Sequence, residues 1–247
     1  MSDDLDSASQ YEQSPEWYDR IYAATGKNYA AEAAVVDGII RTRFPAAASL
    51  LDVGCGTGLH LRQFEQLYDV ASGMDLDPQF AARARRRCPG CTVTVGDMRS
   101  FDLGRTFDAV TCLFSAIGHV EDVAGLNASI VAMAAHLAPG GVIVLEPGFT
   151  NQAWMDGSYG VEVAEAPGST LLRAGHSSSD GDVSVLRFAW TEVSRAGINR
   201  LDEELRLARF STAEFLAAFD LAELDVTFDK LGCNEGGRGL WVASSRP

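Results

Sequence analysis

The chain has 247 residues, 47% hydrophobic and 9% aromatic, with a formal net charge of −14; that suffices for one α/β domain with an embellishment or for two small domains. The acidity excludes the usual nucleic-acid binder, whose affinity comes from neutralising phosphates, and no apolar stretch approaches the length of a membrane span. The polar, acidic start does not read as a signal peptide, and five scattered cysteines suit a reducing cytoplasm better than a disulfide scaffold.

In chain order, Ser14-Pro15-Glu16 opens a helix with a capping side chain followed by proline in the first turn, and Gly26 breaks it. A second helix over about Tyr29 to Arg43 carries apolar residues at Ala33, Val36, Ile39 and Ile40. From Leu50 strand and helix alternate: strand to Val53, helix from about Gly58, strand to Asp75, helix from Pro78, strand to Asp97. The run Phe107 to Phe114 is nearly continuous in apolar character, as a parallel strand covered on both faces should be. A helix over about Asp122 to Leu137, a Pro139-Gly140-Gly141 turn and a fifth strand ending at Glu146 complete a parallel βαβ pattern. The rhythm then changes to alternating segments at Thr170–Arg173, Val183–Glu192 and Glu203–Phe210, with a hairpin-type turn at Ser179-Asp180-Gly181-Asp182. Ser211-Thr212-Ala213-Glu214 is a capping box opening a helix, and strands Leu224–Asp229 and Gly239–Ala243 finish the sheet. The arginines at 83, 85, 86 and 87 read as a solvated helix face, and Cys88-Pro89-Gly90-Cys91 as a Pro-Gly turn rather than a redox or metal motif.

The organising stretch is Leu50-Leu51-Asp52-Val53-Gly54-Cys55-Gly56-Thr57-Gly58. A strand, a glycine turn and a helix start in that order bring backbone amides close to a ligand. A dinucleotide fingerprint would place its third glycine where this chain has Leu59, which disfavours a nicotinamide oxidoreductase. Asp75, about twenty residues on, ends the second strand where doubly wound folds hold a ribose, and a carboxylate can accept both hydroxyls of a vicinal diol. Asp97 ends the third. Each acid alone is compatible with a cap or a turn; three in order at strand ends point to a nucleotide cradle.

The spacing Asp-x-Gly-x-Gly-x-Gly resembles motif I of the class I S-adenosylmethionine (SAM) methyltransferases. Phe114-Ser115-Ala116-Ile117-Gly118-His119, Glu146-Pro147, His176-Ser177-Ser178 and Gly237-Arg238-Gly239-Leu240 further resemble the N-methyltransferases of dTDP-linked 3-amino-deoxysugars in antibiotic biosynthesis. The resemblance implies a doubly wound, Rossmann-like seven-stranded sheet. It assigns residues 1–147 and 211–247 to SAM binding, with lid helices over about 14–43, and residues 148–210 to an antiparallel β insertion over the active site. It implies that Tyr18, Tyr29, Asp52, Gly54, Gly56, Gly58, Asp75, Leu76, Asp97, Met98, Leu113 and Phe114 hold the cofactor, with Tyr29 on the SAM carboxylate and Asp97 on the adenine amino group. Tyr11 and His119 would line the reacting amine, and Ser115, Glu146, His176, Ser177 and Arg238 the sugar nucleotide, with Arg238 on its diphosphate. Gly148-Phe149 departs from the bulkier aromatic residues of the family, which bears on the shape of the sugar pocket. His119 either orients the amine or also accepts its proton. The implied product is S-adenosylhomocysteine, no metal is required, and a cytoplasmic homodimer is expected. The alternatives are N-methylation of another small amine or natural-product scaffold, and SAM binding without catalysis.

Overall fold

A computed structural model describes residues 15–149, 154–233 and 238–245. The chain divides into two units. The larger comprises Asn28–Trp154, Ser179–Ser184 and Arg206–Pro247; the smaller comprises Met1–Lys27, Met155–Ser178 and Val185–Leu205.

In the larger unit, strands β1 (Ser49–Val53), β2 (Val70–Asp75), β3 (Thr92–Val95), β4 (Phe107–Cys112), β5 (Leu137–Leu145), β10 (Leu224–Asp229) and β11 (Leu240–Ser245) form one sheet in the order β10-β11-β5-β4-β1-β2-β3. β1 to β5 run parallel, and β11 is antiparallel to both of its neighbours. The alternation of side chains along the strands sorts the core into two faces. Leu51, Val110, Ile143 and Ala243 pack with α5 (Val123–Ala135) and α6 (Thr212–Leu221) through Met133 and Phe219. Their sequence neighbours Leu50, Ala109, Val142 and Val242 pack with α2 (Tyr29–Arg43), α3 (Leu59–Phe64) and α4 (Pro78–Arg87) through Ile40, Leu61 and Ala84.

The helix starts are chemically specified. Asp77 accepts from the amides of Gln79 and Phe80, with Pro78 next to it and three arginines in the last turn of α4 to meet the helix dipole. Ser211 and Glu214 form the expected reciprocal capping box. Three expectations need correction. β3 ends at Val95, so Asp97 lies in the following turn, and β4 ends at Cys112 rather than Phe114. The Pro139-Gly140-Gly141 segment does not precede β5 but bulges it, with Phe107 paired to Leu137 and Ala109 to Val142.

The smaller unit builds on a four-stranded sheet in the order β6 (Tyr159–Ala166), β7 (Ser169–Asp180), β8 (Val183–Ser194), β9 (Gly197–Ala208), longer and more regular than its sequence suggests; the turn between β7 and β8 and the end of β9 group with the larger unit. Helix α1 (Pro15–Ala24) packs here, with Ile21 against Ala164, Leu171 and Trp190. Arg173 is buried beside the rings of Tyr22, Phe188 and Trp190 and is neutralised by Glu162 at 3.0 Å. Among the described residues no helix is long and apolar enough to cross a membrane.

Candidate active site

The sheet order reverses between β1 and β4, and in such folds ligands bind beyond the carboxyl ends of the strands at that point. The glycine turn follows β1, with Gly54, Gly56 and Gly58 at φ 69, 57 and 82°, backbone that L side chains rarely adopt. Gly54 has a steric reason as well: a Cβ there would stand 2.7 Å from the Cβ of Ala116 in the loop after β4. The glycine thus lets the two loops of the switch point touch.

Asp75 ties the turn to β2. One carboxylate oxygen accepts the Gly56 amide at 2.7 Å and the other the Asp77 amide at 2.9 Å. Burial pushes its pKa up to about 6, against the pull of those two amides. Each oxygen keeps acceptor capacity beyond its amide. Leu76 beside it is exposed. A carboxylate fixed in this way beside positive-φ glycines fits a ribosyl cofactor.

Asp52 behaves differently. It is only 2% exposed, its carboxylate accepts the Thr111 hydroxyl at 2.8 Å, and burial raises it to about 6 while nearby His60 opposes the rise. It braces the turn between β1 and β4. Asp97 is engaged by its own neighbour: Arg99 bonds both carboxylate oxygens, at 2.6 Å for the shortest, and holds Asp97 below the usual carboxylate range. Met98 reaches the glycine turn, its methyl lying 3.6 Å from the position of a Cβ on Gly54.

Leu113 is buried, and beyond it Phe114 and Ser115 both adopt left-handed backbone, at φ 54 and 63°. Two consecutive non-glycine residues in that region are costly, about 1–2 kcal/mol each. Glu146 stabilises the bend by accepting the Phe114 amide at 2.7 Å, and Ser115 donates to the Pro147 carbonyl at 3.3 Å. A short 3₁₀ turn over Ala116–His119 follows. Desolvation alone lowers His119 to about 4, so its imidazole is neutral at physiological pH. The other oxygen of Glu146 takes Nε and Nη2 of Arg238 at 3.2 and 2.7 Å, and that guanidinium lies over Phe114 and Phe149 at 5.4 and 5.3 Å. Arg238 is therefore paired with a carboxylate of its own chain.

Tyr29, at the start of α2, meets the His60 ring edge-on at 4.8 Å, and His60 is 2.7 Å from Glu32, both nearly buried. Nothing local in the sequence singles out Glu32 or His60, because a pair 28 positions apart leaves no local signature. None of the four clustered arginines is buried, and two of them also brace the site: Arg87 donates to the Thr57 carbonyl of the glycine turn and Arg85 to the Val93 carbonyl of β3. Tyr18 packs on Tyr22 in α1, and His176 and Ser177 lie on β7. The Ser177 hydroxyl is turned onto the Met155 and Ser158 carbonyls at 3.0 and 3.2 Å, closing its own loop. For these three residues of the smaller unit, the assigned roles rest on the resemblance alone. Tyr11 lies outside the described residues.

A parallel sheet closed by one antiparallel strand, a glycine turn at its switch point and a strand-end carboxylate beside that turn define a class I SAM-dependent methyltransferase. Comparison with known proteins agrees: the family model described as "Methyltransferase domain" matches residues 50–141. The dTDP-3-amino-3,4,6-trideoxy-alpha-D-glucopyranose N,N-dimethyltransferase of Streptomyces venezuelae is 38% identical over 91% of this chain and 94% of its own length. The dTDP-4-amino-2,3,4,6-tetradeoxy-D-glucose N,N-dimethyltransferase of Saccharopolyspora spinosa is also 38% identical, over 91% and 90%. Among solved structures, the SAM-bound amino pentose methyltransferase of calicheamicin biosynthesis from Micromonospora echinaspora superposes with a TM-score of 0.86 at 41% identity, covering 96% of this chain and 98% of that one. The chain belongs to the SAM-dependent amino-sugar N-methyltransferase family.

Proposed function

We propose that this protein transfers methyl groups from SAM to the amino group of a dTDP-linked amino-deoxysugar in antibiotic biosynthesis, and that it works as a cytoplasmic homodimer. When bound, SAM supplies a methyl on a positively charged sulfur, already strongly electrophilic. The chain has to hold, align and exclude water. Gly54, Gly56 and Gly58 bring backbone amides to the cofactor, Asp75 takes the ribose diol, and Leu76 and Met98 flank the base, with Asp97 at its rim. Tyr29 is set against His60 to meet the methionyl carboxylate, while Asp52 supports the turn from below. Leu113 and Phe114 carry the chain from β4 to the acceptor, where Ser115 faces the sugar.

The observation that carries the reading is the bend at Phe114 and Ser115, pinned by Glu146, which seats the 3₁₀ turn ending in His119 against the glycine turn. His119 holds the amine lone pair in line with the methyl. A neutral imidazole with a pKa of about 4 is a poor proton acceptor, and an amine that titrates near 8 already supplies a neutral fraction. Orientation is therefore the role of His119, and the proton leaves to water. Arg238 meets the diphosphate with the donors that Glu146 does not use, giving a strongly acidic chain a local site for a dianion.

The test is incubation with SAM and a panel of dTDP-amino sugars, with methyl incorporation followed by mass spectrometry, and the same panel with Arg238→Ala. Methylated sugar nucleotide is expected, with KM for it raised at least about tenfold in the variant. A chain that binds SAM but methylates none of the panel refutes the proposal.

A further inference from the structure

Cys88-Pro89-Gly90-Cys91, between α4 and β3, plays no part in the chemistry above. Its backbone is a closed turn, with the Cys91 amide donating to the Cys88 carbonyl at 3.0 Å. Such a turn holds its end Cα atoms within about 7 Å, overlapping the 4.4–6.8 Å window that a disulfide requires. The two sulfurs and a carboxylate oxygen of Glu65 all lie within 4.8 Å of one another. Cys88 is fully buried and Cys91 half-buried. The neighbouring Cys88 side chain holds the Cys91 thiol below its usual range, which makes the accessible sulfur the nucleophilic one. Arg62 adds to this, and the Glu65 carboxylate works against it.

The turn is also braced against the cofactor cradle. The Cys88 sulfur lies 3.4 Å from the carbonyl oxygen of Gly58, and Arg87, one residue earlier, donates to the carbonyl of Thr57. Gly90 is fixed from the other side by Glu65 at 2.7 Å. Any change at Cys88 is felt at the third glycine of the motif, where a Cβ would already stand 3.3 Å from that sulfur.

We propose that Cys88 and Cys91 form a redox-active dithiol which low-molecular-weight disulfides convert to an intramolecular disulfide, and that its closure weakens SAM binding through Gly58. The Cys91 thiolate attacks R–S–S–R, forming Cys91–S–S–R and releasing RS⁻. Cys88 then loses its proton and attacks the Cys91 sulfur, expelling a second RS⁻. Two protein thiols are oxidised and one external disulfide is reduced to two thiols. In the closed form Cys88 has no hydrogen left to give Gly58, and its sulfur is drawn towards Cys91.

The test treats the intact chain with glutathione disulfide and reads two quantities, the mass of the peptide containing residues 88–91 and the affinity for SAM by calorimetry. The expected result is a peptide lighter by two hydrogens and a SAM dissociation constant about fivefold higher, as the loss of one modest hydrogen bond implies, restored by dithiothreitol. Cys91→Ser should bind SAM like the reduced chain and ignore the oxidant. Unreacted thiols in the folded chain, a glutathione adduct that persists on Cys91, a closed disulfide with unchanged SAM affinity, or zinc held stoichiometrically by these residues would each overturn the proposal. The sugar substrate does not enter either readout, so failure here leaves the assignment of the acceptor untouched.

Discussion

The contact between the two loops of the switch point can be tested by filling it. In Gly54→Ala the new Cβ would stand 2.7 Å from that of Ala116, and neither atom is the free end of a flexible side chain, so backbone must move. Overpacking of that kind costs about 1–3 kcal/mol, and an alanine at φ 69° adds about 1–2. The sum, roughly 2–5 kcal/mol, should lower Tm by about 5–15 °C at this chain length. Displacing the turn should also weaken SAM binding about tenfold, and moving the 3₁₀ turn that ends in His119 should lower kcat further. The informative variant is the double substitution Gly54→Ala with Ala116→Gly. It removes the clash but leaves the backbone strain, so it should regain the packing share and remain roughly 1–2 kcal/mol below wild type. Thermal melts and SAM calorimetry on both single variants and the double give a coupling energy, expected above about 1 kcal/mol. Additivity within about 0.5 kcal/mol would mean the loops do not touch, and the account of this glycine would be wrong.

Other consequences can be checked separately. His119→Asn, which keeps a hydrogen-bonding side chain, should retain kcat within about tenfold while His119→Ala loses about a hundredfold; a limb near pH 6–7 in the wild-type kcat profile that vanishes in His119→Asn would establish the histidine as a base instead. Asp52 carries its proton to about pH 6 when folded and to about 3.9 when unfolded, so the folded state binds the proton more tightly between those values and stability falls as pH rises through that window. The fall attributable to Asp52 is on the order of 2–3 kcal/mol, and denaturant melts at pH 4.5 and 6.5 should show a slope that Asp52→Asn flattens; equal slopes contradict it. Glu146→Ala frees both the Phe114 amide and Arg238, so kcat/KM for the sugar nucleotide should drop about a hundredfold with SAM affinity within about threefold. A parallel loss of SAM affinity would place Glu146 in the cofactor site instead.

The larger sheet was legible because its central strands are buried on both faces and spell out apolar runs, and because Gly54, Gly56 and Gly58 sit where only glycine is at ease. The capping box at Ser211 was equally plain, since its two partners are three residues apart. β6 was missed for the opposite reason. In Tyr159–Ala166 the large apolar side chains Tyr159, Val161 and Val163 face solvent, while Glu162 pairs with buried Arg173 and Ala164 is buried beside Ile21 and Leu171. A pattern rule that sends apolar residues inward cannot find a strand whose inner face holds an ion pair and an alanine.

Residue types at the site were readable, but their partners were not. Asp52, Asp75 and Asp97 look alike in sequence as acids near strand ends, yet the first is buried under Thr111, the second is fixed by two backbone amides, and the third is paired to Arg99. Which of the three can offer oxygens to a ligand depends on contacts up to 59 residues away. The same holds for Phe114 and Ser115. Nothing in an aromatic residue followed by a serine announces left-handed backbone, because the bend is imposed by a carboxylate 32 positions later. What a sequence encodes locally is the turn that must be glycine; what it leaves to the fold is the strain that another side chain holds in place. Specificity for one sugar is therefore to be sought around Glu146, Arg238 and Phe149, which pack together beside the bend after β4, and not in the glycine motif.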